Sequence, residues 1–288
     1  MHMDRPRQLF KYFDPSRVDF LRSMLIRFTP LGAFNDPFEG RPEVLSVMPE
    51  GELNASISEM IESEIEIEYA KLPQEARLQI SKEKYASLFR ELIEKQTPQI
   101  SAGVRSITPH FVQTIHSKFD ELIGALCLSE VPDSLLMWAH YAASHAGFVV
   151  EFDPTDAFFN SRRTDSDEFG FLRRVLYRDA RPSGALTSMT EELFTVKSSH
   201  WSYEREWRML RPLPHADETI STDNYPIHLF RLPCSAVRRI ILGARSTQKT
   251  KSEIRTILTE QGASLRHVEL HQSRPDDSHF VLRIEKAA

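Results

Sequence analysis

The sequence predicts an α+β fold: one domain over residues 1–288, with a mixed, largely antiparallel sheet core, flanking helices and a helical insertion at 46–122. Three observations predict it. Short apolar runs rich in β-branched and aromatic residues recur along the chain. Helical stretches separate some of these runs but not others, unlike a regular βαβ array. Residues 50–122 change character, becoming rich in lysine and glutamate and poor in aromatics.

In chain order, residues 8–13 read as a strand. Asp14-Pro15-Ser16 then starts a helix, proline being tolerated in a first turn, and Val18, Leu21 and Leu25 give it an apolar stripe. Ile26 to Thr29 is a second strand ended by Pro30, followed by a turn-rich loop from Gly32 to Pro42. In the insertion, Leu53, Ile57, Met60 and Ile61 fit a 3.6-residue period, and Leu88, Leu92 and Ile93 resume it. Ile65, Ile67 and Tyr69 alternate like a strand, and Pro73 and Pro98 are expected to break the segment. Ile123 to Leu128 is a buried strand. A helix starts at Pro132-Asp133 and stops at Gly147, and Phe148 to Phe152 is another strand. Further strands are expected at 175–177, 206–210, 227–232, 239–242 and 280–284, with an amphipathic helix at 246–261.

A chain of 288 residues with 41% hydrophobic residues can bury a large core. The net charge of −5 argues against a broadly basic nucleic-acid surface, though a local basic patch stays compatible with it. No apolar run approaches the ~20 residues of a membrane span, and no signal-peptide pattern opens the chain. Met1-His2-Met3 reads as an expression remnant. Cys127 and Cys234 read as two buried thiols, and the expected location is the cytoplasm. The chain has no Cys-x-x-Cys, His-Glu-x-x-His, phosphate-loop, dinucleotide-binding or Gly-x-Ser-x-Gly motif, so zinc, kinase, Rossmann and α/β-hydrolase chemistries lose support.

Three blocks combine reactive polar groups with aromatics, and they are expected to meet in one pocket. In Phe34-Asn35-Asp36-Pro37-Phe38-Glu39, proline pushes Asp36 out of the helical region. The result is either a structural Asx turn or a turn that aims Asn35, Asp36 or Glu39 into a cleft. In the second block Trp138, Tyr141 and His145 are spaced i, i+3, i+7 and would share a helix face, with His140 pointing elsewhere. That stripe is either core or a stacking surface for a planar ligand. The third block is Lys197 and Trp201 to Arg208. Read as a strand, it puts Glu204, Glu206 and Arg208 on one face. Two adjacent carboxylates would raise one pKa, and Arg208 would oppose that. A solvated charged edge is the alternative.

Together the blocks resemble the domain-of-unknown-function family 2971, an uncharacterised, mainly prokaryotic family. Its pattern is matched by Leu9-Phe10-Lys11-Tyr12 (Phe10 departs from it), Phe34 to Glu39, Met137 to Tyr141, Tyr203 to Arg208 and Ile240 to Gly243. The family implies no settled activity. A weaker likeness is to ADP-ribosyltransferases, through a strand, short helix and strand at the N-terminus and a glutamate on a late strand. That likeness implies NAD as substrate, Lys11 or Tyr12 at the nicotinamide ribose, and Glu206 or Glu204 acting as the catalytic carboxylate. The sequence departs from it in having no His or Arg on the first strand and no Tyr on the second.

Three functions follow as expectations. One is a nucleotide-handling, ADP-ribosyltransferase-like enzyme with Arg208 or Lys197 facing a pyrophosphate. Another is a module that binds a nucleotide or nucleic acid without catalysis. The third is a metal-dependent phosphodiesterase using Asp36, Glu39, Glu204 and Glu206. Ligand contacts are expected from Lys11, Tyr12, Asn35, Asp36, Trp138, His140, Tyr141, His145, Lys197 and Arg208.

Overall fold

Eleven strands pair into one sheet. The computed structural model describes residues 6–167, 169–189, 192–260 and 264–287, so Met1-His2-Met3 lies outside the described residues. The sheet strands are β1 (Leu9–Phe13), β2 (Leu25–Pro30), β3 (Ile123–Ser129), β4 (Phe148–Phe152), β5 (Leu172–Arg174) and β6 (Glu206–Pro212). They continue with β7 (Glu218–Ile220), β8 (Ile227–Arg231), β9 (Val237–Leu242), β10 (Glu269–Pro275) and β11 (Leu282–Lys286). Their order is β7-β8-β2-β3-β1-β4-β9-β10-β11, with β6 paired to β3 and β5 to β6. Among the described residues every pair in this sheet is antiparallel except β9 with β10. That parallel pair needs a crossover, and the helix Gln248–Glu260 supplies it.

The α+β class with a mixed, largely antiparallel sheet is therefore what the chain forms. Alternation buries the central strands on both faces. Phe148, Val150 and Phe152 of β4 join the larger core, while Val149 joins a second cluster with Phe10, Tyr12, Met137, Trp138 and Ile241. The crossover helix adds Ile254 and Ile257 to the larger core from one of its faces.

One feature of the pairing shapes the site. β3 is paired with β6 along its whole length, from Ile123↔Pro212 to Ser129↔Glu206. Its other edge is shared. β2 pairs with its start (Thr29↔Ala125, Pro30↔Gly124), and β1 meets its end at Phe10↔Ser129. Between these points residues 126–128 have no strand partner on that side among the described residues. β1 and β2 diverge there, and the sheet forks.

Several elements differ from expectation. The helix after Pro132 covers only Leu135–Tyr141, with Ser134 Oγ accepting from Met137 N. Ala143, Ser144 and His145 then take positive φ of 46°, 52° and 71°, which a right-handed helix cannot contain. Trp138, Tyr141 and His145 therefore do not share a helix face. Residues 199–204 form a 3-10 helix, Arg205 is left-handed at φ 44°, and the strand begins only at Glu206. The last strand starts at Leu282, and Phe280 is exposed in the turn before it. The strand expected at 175–177 pairs as Leu176–Arg178 with Val196–Ser198. β10 was not anticipated; its burial is intermediate and its sequence, Glu-Leu-His-Gln-Ser-Arg-Pro, has little apolar signal.

The chain forms two compact units. One contains residues up to 40, 118–181 and 194 onward, with the large sheet; the other contains 41–117 and 182–193. In the second, Glu50–Lys71, Gln74–Gln79 and the helix beginning at Lys82 follow one another, and Glu43–Ser46 pairs in parallel with Ser183–Ala185. Ile65 to Tyr69 is helical, and the helix Lys82–Leu122 runs through Pro98 and Pro109 rather than breaking. Arg90 holds Glu62 with two bonds of 2.7 Å, and the Tyr69 and Tyr85 rings lie 5.5 Å apart. Among the described residues no helix is long and apolar enough to cross a membrane.

Candidate functional site

The fork between β1 and β2 opens a cleft of about 350 Å³, within the size range of small-molecule sites. β1 contributes Phe10, Lys11 and Tyr12, β2 contributes Arg27 and Thr29, and β3 contributes Cys127, Leu128 and Ser129. Each of the three blocks adds to the wall: Phe34, Asn35 and Glu39 from the first, Met137 and Tyr141 from the second, Lys197, Glu204 and Glu206 from the third. The three blocks meet in one cleft, the second through Met137 and Tyr141 rather than through Trp138 or His140, which were expected there.

Local structure explains how each block delivers its groups. Asp36 Oδ1 accepts from Phe38 N at 2.9 Å, and Glu39 N donates to Asp36 O at 3.2 Å. Asp36 therefore builds an Asx turn, and that turn carries Asn35 and Glu39 into the cleft. In the third block the 3-10 helix and the left-handed Arg205 bring Glu204 and Glu206 to the same cation, which simple strand alternation was expected to do.

That cation is Lys197. Its Nζ donates to Glu204 Oε2 at 2.6 Å and Glu206 Oε2 at 3.0 Å, and lies 3.6 Å from Glu39 Oε2. Arg208 donates through Nε to Glu206 Oε1 at 2.7 Å and through Nη2 to Glu206 Oε2 at 3.1 Å. Its Nη1 donates to Phe194 O at 2.7 Å, and Nη2 also contacts Glu39 Oε1. Tyr141 Oη donates to Glu204 Oε1 at 2.7 Å and accepts from Asn35 Nδ2 at 3.0 Å. Every carboxylate oxygen of Glu39, Glu204 and Glu206 thus faces a cation or a hydroxyl. Trp201 covers Lys197 with its ring centroid 5.1 Å from Nζ, and Phe34 lies 5.1 Å from the Arg208 guanidinium.

Electrostatics follow from burial. Burial raises Glu206 above the ordinary carboxylate range, against the pull of Lys197. Burial also opposes the Lys197 charge, but Glu206 and Glu204 outweigh it and hold the ammonium above its usual value. Burial draws Arg208 down to about 9, which leaves it charged at neutral pH beside two glutamates. Burial, then Glu204, raises the Tyr141 hydroxyl. Burial and Glu206 push the Cys127 thiol well up, so it is a poor nucleophile at neutral pH.

Other expected residues lie elsewhere. Trp138 is fully buried, and its Nε1 donates to Pro132 O at 2.8 Å, so it is core and does not line the cleft. His140 is exposed on the helix and does not line the cleft either. His145 stacks on Trp138 at 6.2 Å and lines a separate cavity with Leu135, Arg245 and Asp276. Tyr12 presents its ring to the cleft, but its hydroxyl donates to Val131 O at 2.7 Å. The sequence reading missed Arg27, Thr29, Cys127, Ser129 and Met137. Arg27 had a legible signal: a single charge inside the apolar run Leu25 to Phe28.

Glu39, Glu204 and Glu206 were candidate metal ligands. Lys197 Nζ occupies the position among them that a divalent ion would need. Among the described residues no group of three or more His, Cys, Asp or Glu is disposed to hold a metal.

Residues 137–209 match the family model described as protein of unknown function (DUF2971). This stretch contains Tyr141, Lys197, Glu204, Glu206 and Arg208, and it bears out the family resemblance drawn from the motifs. No curated protein and no solved structure matches the chain.

Proposed function

We propose that the cleft at the sheet fork binds a small nucleotide-like ligand and that the chain is a nucleotide-handling protein. The observation that carries this reading is the convergence of polar and aromatic groups from three distant blocks in one cleft of about 350 Å³. Phe34 and Tyr141, both partly exposed, offer ring surfaces for a base. Asn35 and the Tyr141 hydroxyl offer a donor and an acceptor at its edge. A cleft of this size takes a nucleoside or mononucleotide whole and only part of NAD.

Binding without catalysis is favoured over ADP-ribosyl transfer by the saturation of the carboxylates. For transfer, Glu206 or Glu204 would polarise a ribose hydroxyl and stabilise an oxocarbenium-like centre. Lys197 pairs with both, Arg208 also holds Glu206, and the Tyr141 hydroxyl donates to Glu204, so transfer requires one of these donors to turn to the substrate. Thermal shift with adenosine, AMP and NAD tests the binding reading. A ligand at a hundred times its Kd stabilises by about 2.7 kcal/mol, so melting should rise with concentration. Absence of any shift with nucleosides and nucleotides at millimolar concentration would overturn it. Nicotinamide release from NAD, lost in a folded Glu206→Gln variant, would establish the transfer form.

A further inference from the structure

Across the cleft from the saturated carboxylates, its β1–β2 edge has the opposite character. Lys11 Nζ makes one hydrogen bond, to the Cys127 carbonyl at 3.1 Å, on the stretch of β3 that has no strand partner on the fork side among the described residues. Two of its three N–H groups have no acceptor among the described residues. The Arg27 side chain, half-buried on β2, makes no hydrogen bond and no ion pair among the described residues, and its Nε is sealed from solvent. Both line the cleft, together with Thr29, whose hydroxyl has no partner among the described residues. Their charged neighbours make the imbalance worse: Arg17 lies close enough to disfavour both charges, and Arg27 disfavours that of Lys11. Glu206 is the carboxylate that Lys11 feels most, but its oxygens already bind Arg208 and Lys197.

Unpaired, desolvated cations destabilise a fold, and each costs more than a surface charge. Two of them in one cleft, with an unused hydroxyl between strands, form a site whose missing partner is an anion. We propose that Lys11, Arg27 and Thr29 form a phosphoryl-binding subsite, which on the nucleotide reading above seats the phosphate of a phosphorylated nucleoside. Arg27 offers a planar fork suited to two phosphate oxygens, and Lys11 adds a point charge. The β1–β2 edge then selects the phosphate, and Asn35, Tyr141 and the rings face the remainder of the ligand.

The test is calorimetric titration of the full chain with adenosine, AMP and inorganic pyrophosphate, at low and raised salt. AMP should bind at least about tenfold more tightly than adenosine, a difference of about 1.4 kcal/mol. Its affinity should fall with salt while that of adenosine stays level. Arg27→Gln should remove most of the AMP advantage and leave adenosine unchanged. Because the Arg27 side chain donates no bond among the described residues, this variant should melt no lower than wild type without ligand. Equal affinity for AMP and adenosine in wild type, or an AMP advantage that survives both Arg27→Gln and Lys11→Gln, would overturn the subsite while the nucleotide reading stands. Pyrophosphate binding that is lost in Arg27→Gln, with no response to adenosine or AMP, would support the subsite and overturn the nucleotide reading. No response to any of the three would overturn both.

Discussion

Lys197 neutralises Glu204 and Glu206 at 2.6 and 3.0 Å inside a space nearly closed to water, and Arg208 closes the network from the other side. Removing one partner of such a network leaves a buried charge uncompensated, at a cost of about 3–5 kcal/mol. Lys197→Met should therefore lower the denaturation midpoint sharply, because Glu204 would keep only the neutral Tyr141 hydroxyl while Glu39 and Glu206 share one guanidinium. Glu206→Gln keeps the volume but loses charge-assisted bonds to both cations, so it should cost less than Lys197→Met. A Lys197→Met protein as stable as wild type in urea would show that the network contributes nothing to folding. The pH dependence has two signs. A carboxylate raised by burial, such as Glu206, is relieved rather than stressed by acid. Asp276 is the opposite case. Backbone N–H groups of Ser278 and His279 and the Arg283 side chain hold it below its usual value. Its contribution is full above the unfolded carboxylate pKa and is lost as pH falls through the folded value. Asp276→Asn should thus flatten the melting profile below about pH 4, and an unchanged acid limb would contradict this assignment.

The segment after Tyr141 shows how an element ending can be strained yet specified. Ala143, Ser144 and His145 all have positive φ, each costing about 1–2 kcal/mol for a residue with a Cβ. The backbone recovers hydrogen bonds for that strain: His145 N donates to Trp138 O at 3.1 Å and Gly147 N to Ala142 O at 2.9 Å. Gly147 is required where it is, because a Cβ there would run into the Phe13 carbonyl. Ser144 is exposed, has no side-chain bond among the described residues and sits at φ 52°, so glycine fits it better. Ser144→Gly should raise stability by about 0.5–1 kcal/mol after the entropy of the unfolded chain is counted, and Ser144→Val should lower it. Equal melting temperatures for the three proteins would mean the turn is unstrained.

At the scale of the molecule, a forked open sheet has three edges to protect: β7, β11 and, at the end of the side branch through β6, β5. β7 is three residues long and fully exposed. β11 is longer and carries Arg283, Glu285 and Lys286, exposed charges of the kind that prevent edge pairing. Replacing Glu285 and Lys286 by valine should make the protein self-associate with rising concentration, measurable by light scattering. A monodisperse double variant would show that β11 is protected by something other than charge.

Periodicity and turn chemistry made much of this protein legible. The apolar runs of β1, β4 and β9, the amphipathic helix at 248–260 and the Asx turn at Asp36 are local consequences of residue order, and each was visible in it. So was the meeting of three polar-aromatic blocks, because such groups are stable in a folded chain only beside one another or a ligand. Their individual roles were not legible. Trp138 and Tyr141 stand three apart on one short helix, yet one is sealed in the core and the other binds Glu204. Glu206 carries the same side chain whether it is a free base or is held by Lys197 and Arg208. Lys11 and Arg27 share a cleft only because β1 and β2 divide one edge of β3 between them. Local sequence sets backbone preference within a few residues. Which strands share an edge, and which charges are left there without a partner, depends on pairings such as Phe10↔Ser129 and Thr29↔Ala125, far apart in the chain, and only the tertiary structure decided them.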